Sequence, residues 1–467
     1  MMDFLDYLDG VLYYPILVVI LLVAGLYFSA QTNFIQFRWF VESIKVIMEK
    51  PTKAGSVSSF QALMVSTASR VGTGNIVGVS TALCLGGPGA LFWMWVIAMI
   101  GGATAFIEST LAQIYKRRDK DGDSYGGPAY YIETALKNKG LASAFAIFLV
   151  LTYAGGFNML ASYNLQSTFS GYSFYDKGAT PWVIGAVLAV LVGYCLMGGG
   201  KRIVRFTEIL VPMMGLLYVL LALAVIVMHL DALPGVVGNV MSDAFNFDKI
   251  LAGVSGSCLM YGVKRGLYSN EAGVGSAPNA AAAADVAHPV QQGLVQMLSV
   301  IIDTVLCTAT ACMCLFSGVV PTEKLAGAPY VQQATTVDFG TFGPVLITFA
   351  MVLFAFTTLI GNYFYAENCI AYLNGGRMPE KGTMTIFRII AAILIFLGAG
   401  MSMSAVWAIA DILMAFMCFI NIPAIAVLGG TAIAAMKDYA KQKDAGQNPV
   451  FKAEHIGLST ENLDYWK

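Results

Sequence analysis

The sequence predicts an all-α polytopic membrane protein, and three observations carry that prediction. Of its 467 residues, 57% are hydrophobic and only 12% charged, about half the charged share of a soluble globule. Apolar runs recur along the chain at 14–30, 91–106, 144–161, 182–197, 210–228, 295–319, 345–360 and 386–401. Several approach the roughly 20 residues that a helix needs to cross the hydrocarbon layer. The runs lack the period-2 alternation of a transmembrane barrel, so helices must satisfy the backbone in lipid.

The opening helix falls at 11–30. Asp3, Asp6 and Asp9 lie at its start and no basic residue comes before Arg38, so the positive leader of a cleaved signal peptide is missing and the helix is expected to be retained. A basic amphipathic linker occupies 31–57. A first set of spans is placed near 60–86, 89–117, 141–167, 181–198 and 206–230, with a short interfacial helix at 125–136 opening on Gly126-Gly127-Pro128. A second set is placed near 249–283, 290–319, 343–373, 383–402 and 405–434. The expected organisation is therefore 1–57 (opening helix and linker), 58–230 (first repeat of five helices), 231–434 (second repeat of five helices) and 435–467 (tail). With about eleven crossings the two sets run in opposite senses, as in transporters with inverted repeats.

The net charge of −1 says little, but charge placement is informative. If the first helix runs outside to inside, four basic clusters share one side: Arg38, Lys45, Lys50 and Lys53; Lys116, Arg117, Arg118 and Lys120; Lys201, Arg202 and Arg205; Lys437, Lys441, Lys443 and Lys452. Only Lys177, Lys249 and Lys324 remain for the other side. The positive-inside rule then puts the N-terminus outside and the tail in the cytoplasm, with the protein in the plasma (inner) membrane. The eight cysteines sit in apolar segments without metal-ligand spacing, and His229, His288 and His455 are scattered. No polar stretch is long enough to fold as a nucleotide-binding or catalytic domain.

The first helix of each set is interrupted by glycine. One carries Gly72-Thr73-Gly74-Asn75 and Gly78; the other carries Gly253, Gly256, Gly262, Gly266, Gly273 and Gly275. Glycine in membrane helices also serves close packing, but breaks at corresponding places in two halves point to a binding site near the bilayer midplane. Gly72-Thr73-Gly74-Asn75 is no nucleotide loop, because no strand precedes it and Gly78 is one position late for G-x-G-x-x-G. An unwound helix frees amides for an anion such as a carboxylate, and carbonyls for a cation. Thr357 and Thr358 present hydroxyls of the kind a hard cation takes. Set against the carbonyls of Ala68 and Val71 they form a candidate sodium site; the alternative is bonding back to the preceding turn.

Ionisable residues within spans are costly and mark function or fixed ion pairs. Arg70, Glu108, Lys264, Arg265, Glu271, Asp303, Glu367 and Asp411 are the set. Arg70, Lys264, Arg265, Glu271 and Asp303 are gate candidates, with the first three expected on the cytoplasmic side of the breaks. Asn158 is placed to orient a substrate or to bond a neighbouring helix. Trp93, Trp95, Trp182 and Trp407 read as interfacial anchors.

Three blocks give the chain its resemblance to the alanine or glycine:cation symporter family, the sodium:alanine symporters. They are Phe60-Gln61-Ala62-Leu63 through Gly72-Thr73-Gly74-Asn75 to Gly86-Gly87-Pro88-Gly89 and Phe92-Trp93-Met94-Trp95; Tyr125-Gly126-Gly127-Pro128; and Gly262-Val263-Lys264-Arg265-Gly266 running into Ser269-Asn270-Glu271-Ala272-Gly273. The resemblance implies the LeuT-like fold, a 5+5 inverted repeat with an extra N-terminal helix. It implies that Thr73, Gly74 and Asn75, with Met260, Tyr261 and Gly262, surround the amino acid, and that Thr357 and Thr358 with Ala68 and Val71 carbonyls hold sodium. One departure stands out: Ala161 occupies the position where many relatives carry glutamine.

The expected function is sodium-coupled symport of a small neutral amino acid, alanine or glycine, by alternating access, with sodium as coupling ion, no organic cofactor and no enzymatic turnover. A proton-coupled symporter using Asp303 or a glutamate is one alternative. An ion channel is another, against which stands the lack of a filter or pore ring. An intramembrane enzyme lacks a nucleophile–base pair.

Overall fold

The computed structural model describes residues 2–53, 55–119, 122–246 and 257–466. The chain opens with α1 (Asp3–Gln31), where Pro15 sits in a π-helical stretch whose wider turn accommodates the missing N–H. The linker carries α2 (Phe40–Ile47). Then α3 (Ser59–Arg70) starts at a capping box, in which Ser58 Oγ accepts the Gln61 N–H and Gln61 Oε1 accepts the Ser58 N–H, both at 3.1 Å. It stops short of α4 (Gly74–Gly86), which is closed by Gly87 at φ 87°.

After α5 (Ala90–Ile114) comes an antiparallel ribbon of β1 (Arg117–Arg118) and β2 (Ser124–Tyr125), then α6 (Pro128–Leu136), α7 (Lys139–Ser167), α8 (Thr180–Leu196), α9 (Gly199–Met228) and α10 (Leu233–Ala244). The expected start of the second set at 249, with Lys249, Gly253 and Gly256, lies outside the described residues, as does Lys120. Next come α11 (Cys258–Asn270), capped by Ser257, and α12 (Pro278–Ala283). The chain continues with α13 (Pro289–Phe316), α14 (Ala328–Phe339), α15 (Phe342–Leu373), α16 (Lys381–Ala399) and α17 (Met403–Asp444).

Eight of these helices are long and apolar enough to cross a membrane: α1, α5, α7, α9, α13, α15, α16 and α17. The most apolar 18-residue window of α5 is 72% buried, whereas those of α9 and α16 are 28% buried. The bundle is therefore built around α5, while α9 and α16 turn most of their surface outward.

Contacts distinguish two ends. At one, Lys443 pairs with Glu42 (2.6 Å), Arg117 with Asp464 (3.0 Å) and Lys201 with Asp123 (3.7 Å). This tail end collects members of all four basic clusters. At the opposite end, Trp93 Nε1 donates to the Ala244 carbonyl (3.2 Å) and Ser80 Oγ to the Gly327 carbonyl (2.6 Å). The last span differs from expectation: α17 continues to Asp444 and takes Lys437, Lys441 and Lys443 onto the helix. No glycine or proline follows Gly430 until Gly446, so nothing stops the hydrogen-bond ladder at 434.

Candidate binding site at the paired helix breaks

Both interrupted helices come apart inside the bundle. The first break spans 71–73, between α3 and α4; the second spans 271–277, between α11 and α12. Asn75 organises the first: its Oδ1 accepts the Gly72 N–H at 2.8 Å, and its own N–H goes to the Gly72 carbonyl (3.2 Å). Those amides are the α-helical donors for the Ala68 and Val71 carbonyls, which are thereby released from the ladder. The Asn75 N–H apart, the start of α4 in turn holds amides that precede its own hydrogen-bond ladder. At the second break Glu271 takes a left-handed conformation (φ 54°) and ends α11. Glu108 clasps the far strand of this break, accepting from the Gly273 N–H (3.3 Å) and Asn421 Nδ2 (2.8 Å).

A continuous polar network joins the breaks. Ser69 Oγ lies 2.8 Å from Glu271 Oε1 and 2.6 Å from Asn362 Oδ1, and its single proton serves one at a time. Ser276 Oγ donates to Glu271 Oε2 (2.7 Å). Asn362 Nδ2 donates to Asn158 Oδ1 (2.9 Å), while Asn158 Nδ2 is buried without a partner among the described residues. On the other flank, Asp303 Oδ1 accepts from Asn75 Nδ2 (2.7 Å) and Ser269 Oγ (2.8 Å). Asn164 Nδ2 reaches Thr73 Oγ1 (3.1 Å).

The two threonines expected to hold a cation differ. Thr357 Oγ1 donates within its own helix, 2.9 Å from the Leu353 carbonyl and 3.1 Å from that of Phe354. Thr358 Oγ1 is buried and has no hydrogen-bond partner among the described residues. It lies against Gly72 so closely that a Cβ there would overlap it. On the same face of α15, a Cβ at Gly361 would come within 2.8 Å of the Ser69 N. The free hydroxyl and the released Ala68 carbonyl thus belong to one contact between α15 and the first break.

Met260, Tyr261 and Gly262 are not brought to the breaks. They lie more than two turns before Glu271, where α11 packs on α5. A Cβ on Gly262 would stand 2.6 Å from the Ala90 carbonyl oxygen, and one on Gly266 2.7 Å from Ile97. These glycines let two helices approach, the packing role of small residues. Facing Thr73, Gly74 and Asn75 instead are Tyr268 and Ser269: Gly74 can carry no Cβ without meeting the Tyr268 ring at 2.7 Å. Tyr268 packs edge-on against Phe157 and Trp407, each with centroids 4.9 Å apart. Trp407 is therefore buried beside the site rather than anchored at an interface.

The gate candidates also separate. Lys264 and Arg265 lie before the second break, toward the end opposite the tail, because α11 enters the bundle from that end. They do not reach Glu271. Arg265 Nη2 pairs with Asp411 at 3.1 Å and its guanidinium stacks on Trp407. Lys264 bridges Asp411 (3.1 Å) and Asp9 of α1. Arg70 is on the tail side, as expected, but is held by the Gln296 carbonyl (3.1 Å) and Oε1 (3.3 Å). No carboxylate of a described residue comes within ion-pair distance of it.

From the tail end a cavity of about 530 Å3 leads inward past Gln61, Asn279, Ala283, Phe364 and Asn368. It runs along α3, α12 and α15, the tail-side halves of both broken helices and the helix of the threonine pair. A larger apolar groove of about 600 Å3, lined by residues such as Phe37, Met99 and Val305, shares no lining residue with this polar network. The residues that sequence reasoning missed are Ser69, Asn164, Tyr268, Ser269, Asn362 and Trp407. Helical spacing back from Gly273 reaches Ser269 and would have found that face of α11.

Comparison with known proteins agrees with this architecture. The sequence profile described as the sodium:alanine symporter family matches residues 1–453. The chain is 42% identical over 450 residues to the amino-acid carrier protein AlsT of Bacillus subtilis (strain 168), covering 96% of this chain and 94% of that protein. It is 38% identical to the sodium/proton-dependent alanine carrier protein of Bacillus sp. (strain PS3), covering 90% and 96%. Among solved structures, MhsT in complex with L-phenylalanine aligns at a TM-score of 0.51 and 15% identity, covering 89% of this chain and 96% of that one. That likeness shows the fold, which is LeuT-like.

Proposed function

The chain belongs to the sodium:alanine symporter family, and on that premise we propose that this multi-pass membrane transporter carries alanine or glycine into the cell together with sodium. The observation that supports it most is the meeting of Thr358 and the first break, where a buried hydroxyl without a partner among the described residues lies against Gly72, whose N–H has left the Ala68 carbonyl. Oxygen donors of that kind suit a hard monovalent cation. Sodium bound there stabilises the unwound form of the α3–α4 helix, and the first-turn amides of α4 then receive the amino acid's carboxylate. Each ligand therefore raises the affinity of the other, which is what coupling requires.

The Tyr268 ring, backed by Phe157 and Trp407, lies tight against Gly74, which favours a cargo with a small side chain. Asn158 Nδ2, buried and unpaired, is a second polar contact for the cargo. The tail end is cytoplasmic, because basic residues gather there. Alternating access opens the site in turn at the end opposite the tail and along the cavity past Gln61 and Asn279.

Proton coupling is the second reading, and Asp303 motivates it. Its carboxylate is buried beside the first break, receives hydrogen bonds only from neutral groups, and has no ion-pair partner among the described residues. A carboxylate in that setting calls for a proton or a cation. Purified protein in liposomes separates the readings. Labelled alanine and glycine should accumulate under an inward sodium gradient at equal pH, and accumulation under a proton gradient without sodium selects the alternative. Uptake driven by neither gradient overturns both.

A further inference from the structure

The residues between α12 and α13 form a knot at the tail end that the substrate site does not use. Asp285 is its centre, 3% exposed. One carboxylate oxygen accepts from Thr52 Oγ1 (2.7 Å) and the Lys53 N–H (2.6 Å), just ahead of α3. The other accepts from Tyr465 OH (3.1 Å). The Asp285 N–H donates to the Val57 carbonyl (2.9 Å), alongside a parallel bridge between Val57 and Ala284. Thus the chain entering the first broken helix is tied directly to the chain leaving the second.

The C-terminal segment staples this tie to the end of α5. Trp466 Nε1 donates to the Gln113 carbonyl (2.7 Å), and Asp464 pairs with Arg117 (3.0 Å). The Lys116 ammonium sits 3.8 Å from the Tyr465 ring centroid and donates to the Ala284 carbonyl (3.0 Å). Arg118 covers Tyr465 at 4.5 Å. Earlier along the segment, the Phe451 N–H donates to the Ala287 carbonyl (3.0 Å). The strap therefore crosses the seam between the tail-side half-helices and the bundle's central helix.

We propose that Asp285, Tyr465 and Trp466 form a latch that holds the transporter closed at its tail end, and that its release accompanies opening of the cavity past Gln61 and Asn279. Widening that cavity requires α3 and α12 to move away from α5 and α15. The contacts of the C-terminal strap, which join Asp285 and Ala284 to the end of α5, oppose that movement. Arg70 and Glu271 lie deeper and make no ion pair with each other, and the tie between the chain entering the first broken helix and the chain leaving the second is the hydrogen-bonded one at Asp285. The latch is a device of the alternating-access cycle and rests on the transport reading, but it can be tested without transport.

Cys369 Sγ lies 3.9 Å from Asn279 Oδ1 at the floor of the cavity, and Cys84 lies near the opposite end of α4. In two full-length proteins that keep only one or the other cysteine, alkylation by a membrane-impermeant maleimide reports each end separately. Asp285→Asn, Tyr465→Phe and a chain stopped at Gly457 should each speed labelling of Cys369 from the tail side. About tenfold is expected for the truncation, corresponding to roughly 1.4 kcal/mol. Labelling of Cys84 from the other side should fall in parallel, because a shifted equilibrium closes one end as it opens the other.

Acceleration at both cysteines would mean general loosening and would overturn the latch. So would wild-type labelling rates in the truncated protein and in Tyr465→Phe, which loses one hydroxyl and keeps its ring should Asp285→Asn fail to fold. If labelling shifts as expected while no amino acid is taken up, the latch stands and the cargo assignment falls.

Discussion

Thr357 and Thr358 are adjacent and chemically identical, yet only one has a hydroxyl to offer. The difference is one of rotation: successive residues on a helix point about 100° apart, so one hydroxyl turns back to its own ladder while its neighbour meets Gly72. The pair was legible in the sequence, because two hydroxyls in an apolar helix are candidates for a hard cation. Which of the two is free was not legible, since it depends on how α15 sits against a separate helix. Likewise Asn75 was found as part of the break, but its bond to Asp303 was not, because that contact spans 228 positions. The expected consequence is an asymmetry in sodium activation of uptake. Thr358→Ala should raise the sodium concentration for half-maximal uptake about tenfold, a loss of roughly 1.4 kcal/mol, and Thr358→Ser should restore it. Thr357→Ala should shift it by less than about threefold, since its hydroxyl serves its own backbone. Equal shifts in the two alanine variants would remove the distinction.

Helix limits read from hydropathy came close where a cap coincides with the apolar pattern and drifted where it does not. The Ser58–Gln61 capping box starts α3 within one residue of expectation, and His288 with Gln291 starts α13 equally well. The second break fell at 271–277, at Gly273 and Gly275 of the expected glycines, whereas Gly262 and Gly266 are used for packing on α5. His288 also makes the start of α13 sensitive to acid. Its Nδ1 accepts the Val290 N–H (3.2 Å), so the ring is neutral with its proton on Nε2, facing Asp438 at 3.3 Å. Asp438 is also approached by His455 at 3.4 Å, and rings of Tyr439 and Phe451 flank the imidazole. Burial pushes His288 below the ordinary 6.5, to about 4. Between those values the unfolded chain binds more protons than the folded one. The contribution of His288 to stability is therefore whole above about pH 6.5 and is lost as pH falls toward about 4. In detergent, the Tm of the wild type should drop by several degrees, roughly 2–4 °C per kcal/mol lost, between pH 7 and pH 4.5. His288→Asn keeps a capping oxygen and cannot titrate, so its Tm should fall distinctly less over the same range. Parallel curves for the two proteins would exclude His288 as the source.

Across the whole molecule, the helical membrane fold followed from composition and the basic end from charge placement, whereas the pairing of distant charges did not. The ionisable residues within spans were all visible, but their partners lie on helices far apart in sequence. Lys264 and Arg265 of α11 meet Asp411 of α17, and α1 closes the group with Asp9. Two buried cations are balanced by the buried Asp411 and the partly buried Asp9, so the extra N-terminal helix completes the charge balance of this group. Removing one member of a buried pair leaves an uncompensated charge and costs about 3–5 kcal/mol, while removing both members of a pair restores neutrality. Asp9→Asn and Lys264→Met should each lower the Tm markedly and reduce uptake. The double variant Asp9→Asn/Lys264→Met should recover most of the lost stability, a coupling of at least about 1.5 kcal/mol in a double-mutant cycle. Arg265 and Asp411 remain paired in that variant, so the stack on Trp407 beside the site is kept and uptake should recover in part. Strictly additive losses would show that α1 only anchors the protein and that Asp9 carries no share of the charge balance.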